Sequence, residues 1–403
     1  MPPDAEPQDP HWRSNLVIVG LGSFTTIIAM TVLLPFLPIY IEELGMTDRA
    51  DIAQWSGIAY GATFFAAAFV APLWGRLADR YGRKLMLVRA SLGMTIAMSL
   101  IGMADSVWQL VALRLFAGLA GGYSSGATIL VATQTPKSRT GWALGVMSSS
   151  IMAGNLVGPL IGGVLPPLIG IRGTFWIAGG VIFFTFLATT FLLRETRRPV
   201  QARREAARLG WSDLPDRRPV IAMLATGTLL MIANMSIEPI ITIYVAELVE
   251  PGRVTLVSGL AMSAAALGSI VSASRMGRLG DRIGHVRVIV GALAVSAVLL
   301  VPQAYVTTGW ELVGLRFCMG VALGGLLPCV TSVIRHAVPE GMVGRFLGLA
   351  TSSQYAGQVL GPLIGGFVGG HVGMRAVFLG TSVLMAVGAG FAWGSSRKQA
   401  LLF

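Results

Sequence analysis

One carboxylate in this chain stands where a carboxylate is costly. The chain holds nineteen Asp and Glu residues, and only Glu238 lies inside a long apolar run, next to Pro239 and four residues after Asn234. A lone acid at such a place can take up and release a proton near neutral pH, which makes Glu238 a candidate proton carrier. A glutamate one or two turns from the end of its run can also reach water, so both readings stand. Two arginines share this situation. Arg114 and Arg316 each sit about seven residues, or roughly 10 Å, into an apolar stretch, where a cation is either functional or hydrogen-bonded to helix carbonyls.

Other residue groups carry spacing with a physical meaning. In Gly75-Arg76-Leu77-Ala78-Asp79-Arg80-Tyr81-Gly82-Arg83-Lys84, glycines permit a tight reversal and Asp79 is surrounded by cations. Asp79 can therefore accept charge-assisted hydrogen bonds in one conformation only, a latch formed with Gly75, Arg80, Gly82 and Arg83. The plainer reading is a basic stop signal, but an aspartate recurring at Asp281 is more than orientation needs. Gly154, Gly158 and Gly162 are spaced by fours, placing them on one helix face, with Gly163 alongside and Pro159 favouring a bend. Such a face packs closely on a neighbouring helix. Asn155, Asn234, Gln354, Tyr355 and Gln358 supply polar handles for an otherwise apolar cavity, or simple interhelical hydrogen bonds. The four histidines, His11, His285, His336 and His371, form no cluster. Cys318 and Cys329 have no paired-ligand spacing, so no metal site is expected, and the absence of a P-loop points away from ATP.

The elements that must hold these residues are set by composition. The chain of 403 residues is 54% hydrophobic and 12% charged, with a mean hydropathy of +0.71, which excludes a soluble protein. Twelve apolar segments of spanning length are predicted, at 15–38, 52–75, 85–104, 107–131, 141–165, 173–193, 219–243, 255–275, 288–306, 310–334, 345–368 and 374–394. The first is expected to be a retained helix. The net charge of +11 is not a nucleic-acid patch. Twenty-four of the 30 Lys and Arg residues fall on one set of loops, four on the other and two inside spans. Both termini are therefore expected in the cytoplasm. The segment 194–218, with eight arginines, is expected to be a basic cytoplasmic linker joining a six-helix half at 1–193 to a second at 219–403.

The two halves repeat one another. Pro35, Ile39, Tyr40, Glu43 and Leu44 recur as Pro239, Ile243, Tyr244, Glu247 and Leu248; GRLADRYGR at Gly75–Arg83 recurs as GRLGDRIGH at Gly277–His285. Arg114, Gly118 and Gly122 return as Arg316, Gly320 and Gly324, and GPLIGG at Gly158–Gly163 returns at Gly361–Gly366. Glu238 stands opposite Leu34 and so lies outside the shared scaffold. Two equivalent halves are the architecture of an alternating-access transporter, and no catalytic constellation calls for an enzyme.

The decapeptide at Gly75–Lys84 resembles the signature loop of the major facilitator superfamily. Arg114-x-x-x-Gly118-x-x-x-Gly122 is similar to its fourth-helix motif, and Gly154-x-x-x-Gly158-Pro159-x-x-Gly162-Gly163 to the fifth-helix motif of proton-coupled antiporters. Pro35-Phe36-Leu37-Pro38 also fits the twelve-span drug:proton antiporter branch. The resemblance covers nearly the whole chain. It implies an all-α integral membrane fold of 12 transmembrane helices in two pseudo-symmetric six-helix halves. It further implies export of lipophilic drugs by exchange with protons, no cofactor beyond the proton gradient, a role for Arg114 in proton coupling, and residence in the inner membrane. Lipid, protons and a small lipophilic substrate are the expected partners, nucleic acid is not, and a monomer is the expected unit. A facilitator for a single small metabolite is the alternative function.

Overall fold

The computed structural model describes residues 11–195, 214, 217–339 and 342–400, the side chains of 395–400 excepted. Among the described residues every regular element is a helix. The first half runs α1 (Trp12–Thr31), α2 (Leu37–Glu43), α3 (Arg49–Tyr81), α4 (Arg83–Ile101), α5 (Val107–Ala120), α6 (Tyr123–Gln134) and α7 (Thr140–Phe191). The second runs α8 (Arg218–Ile237), α9 (Ile241–Val245), α10 (Val254–Ile283), α11 (His285–Gln303), α12 (Gly309–Leu323), α13 (Leu326–Ala337), α14 (Val343–His371) and α15 (Met374–Ala400). Ten helical stretches among the described residues are long and apolar enough to cross a membrane; with α7 counted twice across its kink at Gly170 and α14 added, the helices make the twelve crossings expected, α1 and α2 forming the first and the pairs α5/α6, α8/α9 and α12/α13 one each.

Caps and breaks arise from local sequence. Asp48 starts α3 by accepting from the backbone N–H of Ala50 at 2.8 Å and Asp51 at 3.1 Å. Thr308 and Glu311 form a reciprocal capping box at the start of α12. Pro35 and Pro38 lack the backbone donor a continuous helix needs, and the first crossing accordingly tightens into a 3-10 turn at Leu34–Phe36.

Four expectations need correction. Gly75–Tyr81 is not a loop but the last two turns of α3, because nothing before Gly82 breaks the helix; the reversal is confined to Gly82, at φ 101°. The fourth and tenth crossings are not continuous, since glycine pairs interrupt them at Gly121–Gly122 and Gly324–Gly325. The seventh breaks at Glu238–Ile240, beside Pro239. No loop separates the fifth crossing from the sixth, which join through a kink at Gly170, φ 77°. Most of the basic linker lies outside the described residues. Its first residues are held: Asn15 Nδ2 donates to the Arg194 carbonyl at 2.6 Å and the Arg194 N–H returns to Asn15 Oδ1 at 3.1 Å.

The glycine faces decide how the helices meet. In the first half α7 lies on α1, with Gly154 against Ile27, Gly158 against Thr31 and Gly162 against the Val32 carbonyl. In the second, α14 lies on α8 in the same way, with Gly357 against Met231, Gly361 against Met235 and Gly365 against Ser236. The neighbouring glycine of each motif faces the other half. Gly163 meets Thr255 and Leu256 of α10, while Gly366 meets Ala53 and Gly57 of α3.

Candidate substrate cavity

The halves close on each other at the arginine-poor end. Arg49 forms an ion pair with Glu247 across the divide and donates to the Ile243 carbonyl at 3.3 Å, and Thr242 Oγ1 donates to the Pro35 carbonyl at 3.2 Å. The Pro159 carbonyl abuts Gly259 and the Pro362 carbonyl abuts Gly57, so no side chain separates α7 from α10 or α3 from α14 there. At Gly75, Gly141, Gly145, Gly277, Gly344 and Gly348, toward the arginine-rich end, an added Cβ would meet nothing within 4 Å.

Between the halves lies a cavity of about 420 Å³. Both halves line it: Thr31, Leu34, Tyr60 and Asn155 from the first, Asn234, Glu238 and Arg316 from the second. Five methionines, at 152, 231, 235, 262 and 319, form much of the remaining wall and no phenylalanine does. The methionine-rich wall suits varied apolar ligands because the unbranched thioether repacks easily. The phenylalanines go elsewhere: Phe65, Phe69, Phe184, Phe191 and Phe367 are exposed on the outer surface, as a lipid-facing surface requires.

Glu238 caps the end of α8, where the break before α9 turns its side chain into the cavity. It forms none of the direct ion pairs found among the described residues, and Arg316 lines the same cavity. Arg316 is 2% exposed. Its Nε has no hydrogen-bond partner, and its Nη1 reaches only the soft acceptor Met319 Sδ, at 4.0 Å. The two arginines that the sequence made equivalent therefore differ. Arg114, 1% exposed, does not line the cavity; its Nε donates to the Ala59 carbonyl at 3.3 Å and its guanidinium lies 5.8 Å from the centre of the Tyr60 ring. Tyr60 thus stands between Arg114 and the cavity, near enough to interact with the charges of both Arg114 and Glu238.

Of the expected polar handles, Asn155 and Asn234 line the cavity. Gln354, Tyr355 and Gln358 do not; the face of α14 that carries Gln354 and Gln358 packs toward α8. Gln358 reaches it only indirectly, donating to Met231 Sδ at 3.8 Å, and Gln354 lies beside Gly227. At the arginine-rich end Asp79 accepts from Arg83 at 2.7 Å, one turn along, and Asp281 lies 3.5 Å from His285 at the equivalent turn. Sequence reasoning missed Glu195, whose carboxylate accepts from the backbone N–H groups of Arg83 and Lys84, both at 2.8 Å. It caps α4 from the end of the sixth crossing, and its position in a highly charged segment gave no local signal. Tyr60 was missed as well, its role visible only once α3 faces Glu238.

The family model of the Major Facilitator Superfamily matches residues 19–252 and 252–399. The chain belongs to the Major Facilitator Superfamily. Among curated superfamily members, the multidrug resistance protein MdtG of Salmonella typhimurium and that of Salmonella arizonae are each 39% identical over 393 residues, covering 97% of both chains. Among solved structures, the superfamily fold recurs in a bacterial homologue of the human lysosomal transporter Spinster, in an inward-facing, unoccupied conformation. The TM-score is 0.78 at 16% identity, covering 97% of this chain and 98% of that one. The human organic anion transporter MFSD10 shares the fold with a TM-score of 0.69 at 19% identity, covering 95% of this chain and all of its own.

Proposed function

We propose that this protein is a proton-driven exporter of lipophilic drugs, working by alternating access as a monomer in the inner membrane. The observation that carries the reading is the central cavity, sealed at the arginine-poor end and holding the one acid found inside a span, Glu238. The name carried by the MdtG relatives supports a drug as cargo. With the arginine-rich loops in the cytoplasm, both termini are cytoplasmic and the conformation is inward-open, ready to take substrate from inside. Glu238 binds a proton delivered from outside and releases it to the cytoplasm, and the proton gradient is the energy source. Asp79 and its neighbours latch one of the two conformations through contacts beyond the Asp79–Arg83 pair, which joins adjacent turns of the first half, and Arg114 supports coupling from behind Tyr60.

The test is expression in a drug-sensitive bacterial strain against a panel of toxic compounds, with proton flux followed in proteoliposomes. Raised tolerance to several unrelated lipophilic compounds, together with drug-dependent proton movement, is expected. Unchanged tolerance across the panel, or transport of one metabolite without proton flux, overturns the reading.

A further inference from the structure

The internal repeat makes Arg114 and Arg316 counterparts, but the residue that covers the first is missing from the second. At the offset of 202 that relates the two arginines, the counterpart of Tyr60 is Met262. Tyr60 lies over Arg114 and stands between it and the cavity, whereas Met262 and Arg316 both line the cavity. At the offset of 204 that relates Pro35 to Pro239, the counterpart of Leu34 is Glu238. The two departures from the repeat thus bring one cation and one anion to the same cavity, and among its lining residues they are the only charged side chains.

A buried guanidinium with an unpartnered Nε, as in Arg316, is costly to maintain unless something satisfies it. Glu238 forms no ion pair with Arg316, and both line the cavity, where a ligand can offer polar atoms to each.

We infer that Glu238 and Arg316 form a dipolar recognition site that selects amphoteric compounds, with a cationic and an anionic group on one apolar skeleton, over singly charged ones. This rests on the export reading above and narrows its substrate class. A simple cation drawn to Glu238 shares a cavity of about 420 Å³ with the Arg316 guanidinium, and a simple anion drawn to Arg316 shares it with the carboxylate. Each meets one attraction and one repulsion. An amphoteric ligand meets two attractions and satisfies both desolvated groups, while its apolar skeleton lies on the methionine wall. The site also accounts for exchange. The ionisable or charged groups facing Glu238 are Tyr60 from α3 and Arg316 from α12, with Arg114 beyond Tyr60. When Glu238 takes a proton, the ligand's cationic group loses its partner and keeps only the repulsion from Arg316. Proton binding therefore weakens substrate binding, as antiport requires.

The experiment uses four fluorescent naphthalene sulfonamides of one skeleton, bearing a quaternary ammonium and a carboxylate, the ammonium alone, the carboxylate alone, or neither. Their binding to the purified full chain in detergent is measured by fluorescence titration. The doubly charged compound should bind about tenfold more tightly than either singly charged one, the discrimination that one net interaction of about 1.4 kcal/mol gives. Glu238→Gln should move the preference to the carboxylate compound, and Arg316→Gln to the ammonium compound. If either singly charged compound binds wild type as tightly as the doubly charged one, the inference is overturned, whatever the variants do. If folded variants keep the wild-type order of preference, it is overturned as well. Failure of the export reading looks different: the binding order holds while expression changes no tolerance.

Discussion

Two adjacent glycines of α7 separate what packs a half together from what closes the two halves on each other. A methyl group at Gly162 would run into the Val32 carbonyl of α1, within the first half, whereas one at Gly163 would lie 2.9 Å from the Thr255 carbonyl and 3.2 Å from Leu256 Cα, across the divide. Both contacts are with backbone, which cannot swing aside as a flexible side chain can. Overpacking of this kind costs about 1–3 kcal/mol, while replacing a helical glycine with alanine returns up to about 1 kcal/mol of helix propensity. With the full propensity gain returned, the net penalty is about 0–2 kcal/mol at Gly163, and it is larger at Gly162, where the added carbon would lie far closer to the carbonyl oxygen. At Gly162 it applies in every conformation, because α1 and α7 belong to one half, and it should appear as a lower melting temperature. At Gly163 it applies only while the arginine-poor end is closed. Gly163→Ala should therefore leave the melting temperature nearly unchanged and shift the conformational equilibrium toward opening at that end, up to about thirtyfold for about 2 kcal/mol. Gly145→Ala, with nothing within 4 Å of the added carbon, controls for the propensity gain. Spin labels at Glu43 and Glu250, both exposed at the arginine-poor end, report the opening as a distance distribution. Identical distributions for Gly162→Ala and Gly163→Ala, or equal losses of melting temperature, would refute the division of labour between these residues.

Three further outcomes are expected. Asp79→Asn keeps the size of the side chain but loses the charge that holds Arg83 at 2.7 Å; the protein should insert and melt normally while export slows, and unchanged export in a vesicle assay would count against the latch. Glu238→Gln should abolish the proton release that substrate causes in wild-type protein in weakly buffered detergent, and equal release from both proteins would move the proton site elsewhere. Glu195→Ala removes the cap of α4 supplied to the Arg83 and Lys84 N–H groups, at a cost of about 1 kcal/mol, so the melting temperature should fall while the substrate affinity stays as it was.

Much of this protein was legible in one dimension. Membrane residence, the twelve crossings, the repeat and the isolation of Glu238 all depend on the order of residues along the chain, because a bilayer tests each crossing for continuous apolarity regardless of its neighbours. The face bearing Gly154, Gly158 and Gly162 was legible for the same reason, since spacing by fours fixes a shared side whatever lies opposite. The identity of the opposite surface was not. Successive helix residues differ by about 100° in direction, so one step from Gly162 to Gly163 exchanges a partner in the same half for one in the other. The repeat made Arg114 and Arg316 equal, and only the packing of α3 and α10 across them put Tyr60 over the first and left the second open to the cavity. Gln354, Tyr355 and Gln358 failed as cavity residues on the same ground: polarity in a span announces a contact, and the rotation of α14 against α8 decides with what. The chain itself thus determined which residues enter the membrane, and tertiary packing decided which of them share a space, because helix rotation and neighbour choice are settled by contacts between segments about fifty to a hundred and thirty residues apart.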